Sequence, residues 1–157
     1  MDIVIRITEH KDIESILEME QESFSFPHTR EQLENEVGNP IFLLLTAAEK
    51  ERVLGYAGLM HVADEGYITN VVVDRTCRRC GIANLLLEEI EKKAVQMKLS
   101  FISLEVRESN YSALQLYLKN GYEKKAALPA YYQKPKEDGI IMTKWYLKEN
   151  KVEYFGV

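Results

Sequence analysis

The stretch from Tyr67 to Lys98, opening YITNVVVDRTCRRCGIANLLLEEIEKK, constrains the fold more than any other part of the chain. It reads as a strand, a short basic turn and a long amphipathic helix. Ile68, Val71, Val72 and Val73 form a β-branched run too short for a buried helix. Ile82, Leu85, Leu86, Ile90 and Val95 recur at helical spacing, with Glu88, Glu89, Glu91, Lys92 and Lys93 among them. Between the two lies Arg78-Arg79-Cys80-Gly81-Ile82-Ala83. Gly81 and Ala83 are small, so a ligand can approach the backbone there. The first N–H groups of a helix lack internal partners and carry partial positive charge, which suits a diphosphate. Only one glycine of G-x-G-x-x-G is present, and G-x-x-x-x-G-K-[ST] is not matched. On this stretch alone, Gly81 remains readable as a residue that merely lets the helix pack closely.

The rest of the chain builds a mixed α/β sheet around that unit. Ile3, Val4, Ile5 and Ile7 form a first strand, and Ile13, Ile16, Leu17 and Met19 mark a helix over 11–24 that Pro27 breaks. Thr29 followed by Gln32 is a capping box opening a second, short helix that Asn39-Pro40 ends. Residues 41–49 and 53–62 read as a hairpin turning at Glu49-Lys50-Glu51, and Ala63-Asp64-Glu65-Gly66 turns into the central strand. After the long helix, Phe101–Val106 is a strand that should run parallel to Tyr67–Val73 through a βαβ crossover. Asn110 is an N-cap for a helix through Ala113, Leu114, Leu116, Tyr117 and Leu118, which Asn120-Gly121 terminates. Residues 123–128 and 140–147 read as a final antiparallel pair. One domain over 1–148 is expected, followed by a tail over 149–157. In such sheets ligands favour the carboxyl ends of strands where neighbours diverge.

Composition narrows the function. The 157 residues are 46% apolar and 29% charged, ordinary for a globular domain. The net charge of −5 with no long basic run argues against nucleic-acid binding. No window approaches a membrane span, and the first residues carry no secretory pattern, so a cytoplasmic protein is expected. Cys77 and Cys80 form a C-x-x-C without a second pair, and His10, His28 and His61 show no ligand spacing. No metal site is expected, and two free thiols are the plain reading.

R-x-x-G-x-A at Arg78–Ala83, preceded by NVVVD and followed by LLLEEIE, resembles the acetyl-coenzyme A motif of the GNAT superfamily of N-acetyltransferases. LEVRESNYSALQLYLKNGYEK (Leu104–Lys124) and YYQKPKEDGIIM (Tyr131–Met142) are similar to its RimI-like branch, which acetylates the alanine N-terminus of ribosomal protein S18. The likeness runs from about Ile3 to Leu147. It implies the GNAT fold: a mixed, mostly antiparallel sheet with a splayed parallel strand pair, flanked by about four helices. Ala83 stands where the family has a second glycine. His28 follows Phe26-Pro27 where the branch often has tryptophan, and Gly139 replaces a common alanine.

The reaction implied is acetyl transfer from a thioester to an amine, which must first lose its proton because a peptide α-amine has a pKa near ~8. Glu105 interrupts an apolar strand, and the resemblance makes it the base; otherwise it is a surface carboxylate or a partner for Arg107. Partial burial is expected to tune it. The resemblance makes Tyr117 the acid that protonates the departing thiolate; on spacing alone it shares a core stripe with Leu114 and Leu118. It also implies that Val71, Val72 and Val73 hold the pantetheine arm and the thioester oxygen through their backbone. Arg78, Arg79, Cys80, Gly81, Ile82, Ala83 and Asn84 would hold the diphosphate, with Asn110 on the pantetheine. Phe26, His28, Tyr131 and Tyr132 would border the acceptor. A monomer acting on a protein N-terminus is expected. The rival acceptors are a lysine side chain, a polyamine or another small amine, for which Glu34, Glu36, Asp64 and Glu65 could supply carboxylates. A coenzyme-binding module without chemistry is disfavoured because Glu105 and Tyr117 are both present.

Overall fold

The computed structural model describes residues 2–146. Leu147 and the expected tail over 149–157 lie outside the described residues. Seven strands form one sheet: β1 (Val4–Ile7), β2 (Phe42–Glu49), β3 (Arg52–Val62), β4 (Glu65–Val73), β5 (Phe101–Arg107), β6 (Glu123–Gln133) and β7 (Lys136–Trp145). Their order is β1-β2-β3-β4-β5-β7-β6. The helices are α1 (Ile13–Ser23), α2 (Arg30–Glu36), α3 (Ile82–Gln96) and α4 (Tyr111–Lys119). Strands β1/β2, β2/β3, β5/β7 and β6/β7 are antiparallel. The crossover through α3 makes β4 and β5 parallel, with Glu65 opposite Phe101, Gly66 opposite Ile102 and Tyr67 opposite Ser103. Beyond those pairs β4 continues to Val73 and β5 to Arg107. The mixed, mostly antiparallel sheet with four helices is the architecture that the sequence implied.

Two compact units make up the chain. The first comprises residues up to His61 and Ile68–Ile90. Its core gathers Ile13, Ile16, Leu17 and Met19 of α1, Leu33 of α2, and Leu44, Val53, Tyr56 and Val72 of the strands. Buried Asp12 precedes α1 and is fixed by both guanidinium nitrogens of Arg6, at 2.7 and 2.8 Å. The capping box of α2 forms as expected: Thr29 Oγ1 accepts from Gln32 N at 3.1 Å, and Gln32 Oε1 accepts from Thr29 N at 2.8 Å. The second unit comprises Val62–Tyr67 and the chain from Glu91 onward. Ile102, Leu104, Val106, Leu114, Tyr117, Tyr122 and Met142 are buried there. Asn110 Oδ1 accepts from Ala113 N at 3.3 Å, opening α4, and Gly121 takes the left-handed φ of 91° after its end.

Several boundaries differ from the sequence expectation. Helix α1 stops at Ser23, before Pro27, because Phe24 turns extended while its N–H still reaches Glu20 O. Helix α2 stops at Glu36, before Asn39-Pro40, and Gly38 follows at φ 82°. The turn before β4 is only Ala63-Asp64, with Ala63 at φ 53°; Glu65 and Gly66 already belong to the strand. Strands β6 and β7 run much further than 128 and 140, to a turn at the cis Lys134–Pro135 peptide. The buried stripe of α3 is Ile82, Leu86, Leu87, Ile90 and Ala94; Leu85 and Val95 are 37% and 59% exposed.

Candidate active site

In the first unit, β4 ends on a tightly braced corner. Asp74 N donates to Leu54 O at 2.8 Å, and Asp74 Oδ1 accepts from Thr76 N at 2.9 Å and Thr76 Oγ1 at 2.7 Å. A single 3-10 turn, Arg75–Cys77, follows and buries Cys77. Arg79 and Gly81 then take left-handed φ angles of 65° and 79°. Helix α3 begins at once, its first i→i+4 bond running from Leu85 N to Gly81 O at 3.1 Å. The amides of Ile82 and Ala83 precede that bond and have no acceptor within the helix. Arg78, Arg79, Cys80 and Gly81 are all exposed. Arg78 Nη2 rests on Ser23 Oγ at 3.3 Å. A fifteen-residue helix directs its positive end at this turn, where negative charge is favoured.

The two readings of Gly81 can now be separated. No atom lies within 4 Å of where its Cβ would be, so the missing side chain does not serve helix packing. The packing glycine is Gly55 on β3. A Cβ there would sit 2.9 Å from Ile82 Cγ2, 3.2 Å from Val72 O and 3.4 Å from Leu86 Cδ1. Gly55 therefore lets the first turn of α3 lie directly on the backbone of β3. Val72 is buried, and Val71 and Val73 are half-buried. Asn84, on the first turn of α3, donates its Nδ2 to Glu88 Oε1 at 2.9 Å. Cys77 and Cys80 are free thiols, one buried and one exposed.

The same unit holds His28 in a cluster of charge. Glu20 on α1 is wholly buried; the His28 backbone N–H donates to its Oε1 at 2.9 Å, and Nδ1 lies 2.9 Å from both of its carboxylate oxygens. Nε2 of the same ring faces Glu36 Oε2 at 2.9 Å. A neutral imidazole has one N–H, so a ring with carboxylates at both nitrogens is the imidazolium. Its pKa is raised to about 10, first by the hydrogen bond to Glu20 and then by that to Glu36. Glu36 Oε1 and the hydroxyl of Tyr56 are buried without a partner among the described residues. Phe26 stands two residues before His28 and is 73% exposed.

In the second unit, β5 alternates so that Leu104 and Val106 face the core and Glu105 faces solvent. The carboxylate is thus exposed rather than partly buried as expected. It is not isolated: the Tyr131 hydroxyl donates to Glu105 Oε2 at 3.1 Å. That hydrogen bond, more than burial, raises the pKa of Tyr131. Tyr131 and Tyr132 meet edge-on, with ring centroids 5.0 Å apart. Burial first, and Glu105 second, push the Tyr132 phenol up to about 12. Tyr117 is buried on α4 against the edge of Tyr122, at 5.7 Å between centroids. Burial, with a smaller contribution from Tyr132, raises it to about 12, so it holds its proton at neutral pH. Asp64 accepts from Ser100 Oγ at 2.5 Å, and Glu65 Oε2 accepts from the Tyr67 hydroxyl at 3.3 Å. Glu36 is engaged by His28, so three of the carboxylates considered for a polyamine already have partners. Among the described residues no group of His, Cys, Asp and Glu is placed to hold a metal ion, and no helix is long and apolar enough to cross a membrane.

Sequence reasoning missed Gly55 and considered Arg107 only as a partner for Glu105, whereas its guanidinium binds Lys134 O, Pro135 O and Glu137. Both act through contacts distant in sequence.

Known proteins match this arrangement. Residues 13–122 match the model of the acetyltransferase (GNAT) family. The [ribosomal protein bS18]-alanine N-acetyltransferase of Haemophilus influenzae is 32% identical over 145 residues, covering 90% of this chain and 97% of that protein. The crystal structure of the ribosomal-protein-S18-alanine N-acetyltransferase from Escherichia coli superposes with a TM-score of 0.84 at 26% identity, over 91% of this chain and 93% of that one. The PaiA N-acetyltransferase of Thermoplasma acidophilum, solved in complex with coenzyme A, shares the fold at a TM-score of 0.80 and 22% identity, over 93% of this chain and 100% of that one. A braced strand-to-helix corner of this kind, in a chain matched along most of its length by these enzymes, identifies an N-acetyltransferase of the GNAT family.

Proposed function

We propose that the chain transfers acetyl from acetyl-CoA to the α-amine of a protein N-terminus, with an S18-type alanine as the acceptor. The observation that carries the acceptor is the likeness to the Haemophilus influenzae enzyme, which extends over 97% of that protein. The residues of the corner fit the cosubstrate. Gly81 leaves its outer side open, the amides of Ile82 and Ala83 point out of the helix, and Arg78 and Arg79 add positive charge. Cys80 and Asn84 complete the turn that grips the diphosphate, and Asn110 hydrogen-bonds the pantetheine.

Acetyl-CoA supplies an acetyl group activated as a thioester. The backbone of Val71, Val72 and Val73 orients it, and an N–H of that strand steadies charge on the carbonyl oxygen. Glu105 takes the proton of the incoming ammonium, so that the neutral amine can attack the carbonyl carbon. Tyr117, still protonated at neutral pH, gives its proton to the sulfur as the C–S bond breaks, and the second proton that the nitrogen sheds on becoming an amide restores the phenol. Phe26, His28, Tyr131 and Tyr132 border the acceptor.

Peptides differing only in their first residue, assayed with acetyl-CoA and mapped by mass spectrometry, test this. Acetylation on the α-amine, with alanine preferred, is expected. Acetyl found only on lysine side chains, or turnover confined to polyamines, would replace the acceptor.

A further inference from the structure

We propose that Arg107 is the positioning residue of the acetyl-transfer base, acting on Glu105 through Tyr131. This rests on reading Glu105 as that base. Arg107 lies two residues after Glu105 on β5, opposite Gly139 of β7. Its guanidinium binds the turn between β6 and β7 at two points: Nη1 donates to Pro135 O at 2.9 Å, and Nη2 to Lys134 O at 2.9 Å. Glu137 Oε1 lies 3.4 Å from Nη1 and accepts from Ser109 Oγ at 3.0 Å. The face of the guanidinium covers the Tyr132 ring, with Cζ 4.3 Å from its centroid.

These contacts fasten the end of a hairpin whose other side carries Tyr131. Tyr132 is adjacent to Tyr131 and packs on it edge-on, and the Tyr131 hydroxyl ends on Glu105. Gly139 completes the arrangement. A Cβ there would come within 3.2 Å of Tyr131 Cδ2 and 3.3 Å of Tyr132 Cε2, so the glycine lets both rings lie against β7. The path from Arg107 to the base is therefore guanidinium, Tyr132 ring, Tyr131 hydroxyl and Glu105 carboxylate. Lysine cannot bridge two carbonyls and cover a ring at once, because it lacks the planar fork. An acceptor amine that meets Glu105 also meets the Tyr131 hydroxyl bonded to it, so the placement of that hydroxyl bears on acceptor binding more than on cosubstrate binding.

The test is a double-mutant cycle in the full chain with Arg107→Gln and Tyr131→Phe, using an alanine-first peptide and acetyl-CoA. Arg107→Gln should raise the peptide KM about tenfold and leave the acetyl-CoA dissociation constant within about twofold. Combined with Tyr131→Phe it should add less than about twofold, because both changes remove one coupled contact. Arg107→Lys should recover only part of the loss. If Arg107→Gln melts below the assay temperature, Arg107→Lys carries the same cycle. Fully additive effects, or an unchanged peptide KM, would overturn the role of Arg107. Near-normal turnover of Glu105→Gln would instead remove the base reading on which it rests.

Discussion

Replacing His28 by glutamine tests the charged cluster of the first unit, and the sign of its pH dependence is fixed by geometry. The imidazolium lies between Glu20, 0% exposed, and Glu36, 15% exposed. The folded chain keeps the ring proton up to about pH 10, against a reference value of 6.5 for the unfolded chain. Between these limits the folded state binds one more proton than the unfolded state. Stability from the cluster is therefore complete below pH 6.5 and falls as pH rises through 10, by at most ~1.4 kcal/mol per pH unit. Half to all of that slope gives about 1.4–2.8 kcal/mol between pH 7 and pH 9. At pH 7 the variant leaves Glu20 buried without its cation, which costs about 3–5 kcal/mol. Urea unfolding followed by the fluorescence of the single tryptophan, Trp145, gives the stability of both proteins at several pH values. The gap between wild type and His28→Gln should be widest near pH 7 and should shrink steadily toward pH 10. A gap constant within about 0.5 kcal/mol over that range would refute an imidazolium held by two carboxylates.

The other residues give sharper readouts. Glu105→Gln should lower kcat at neutral pH by about a hundredfold or more while acetyl-CoA still binds, measured by steady-state kinetics and calorimetric titration. Gly81→Val forces a β-branched residue to φ 79° at the turn, and should weaken acetyl-CoA binding by about tenfold in the same titration. Gly55→Ala drives a methyl group to 2.9 Å from Ile82 and 3.2 Å from the Val72 carbonyl, and should cost about 1–3 kcal/mol in urea unfolding.

The parts of the fold that were legible in the sequence are those fixed by neighbours along the chain. The Thr29/Gln32 box, the Asn110 cap and the left-handed Gly121 each depend on atoms a few residues away, and each forms as the sequence predicts. The parallel β4/β5 pair was legible because a strand, a helix and a strand in succession leave few alternatives. The burial of α3 was not. Its apolar residues cover more than one stripe, and the sheet selects Leu87 and Ala94 over Leu85 and Val95. The outer halves of β6 and β7 were missed because Gln133-Lys134-Pro135-Lys136-Glu137-Asp138 has the composition of a loop. Only pairing such as Tyr132 with Glu137 makes them strands. Gly55 and Arg107 gave no local signal, since each acts on partners more than fifteen residues away.

For the mechanism proposed above, the second unit offers several phenols as the proton donor to a departing thiolate, and their surroundings distinguish them. A donor must hold its proton until the C–S bond breaks and must not have its hydrogen committed to another acceptor. Tyr131 fails the second condition, because its hydrogen is directed at Glu105. Tyr132 is half-buried with Arg107 stacked on its ring, so its position is tied to the hairpin. Tyr111, 74% exposed, meets water before any buried sulfur. Tyr117 meets both conditions. Burial keeps it neutral up to about pH 12, and it sits on the helix that Asn110 caps, with Tyr122 bracing its ring. In the proposed mechanism base and acid thereby receive opposite environments: a carboxylate exposed on β5, and a phenol buried on α4 and held protonated.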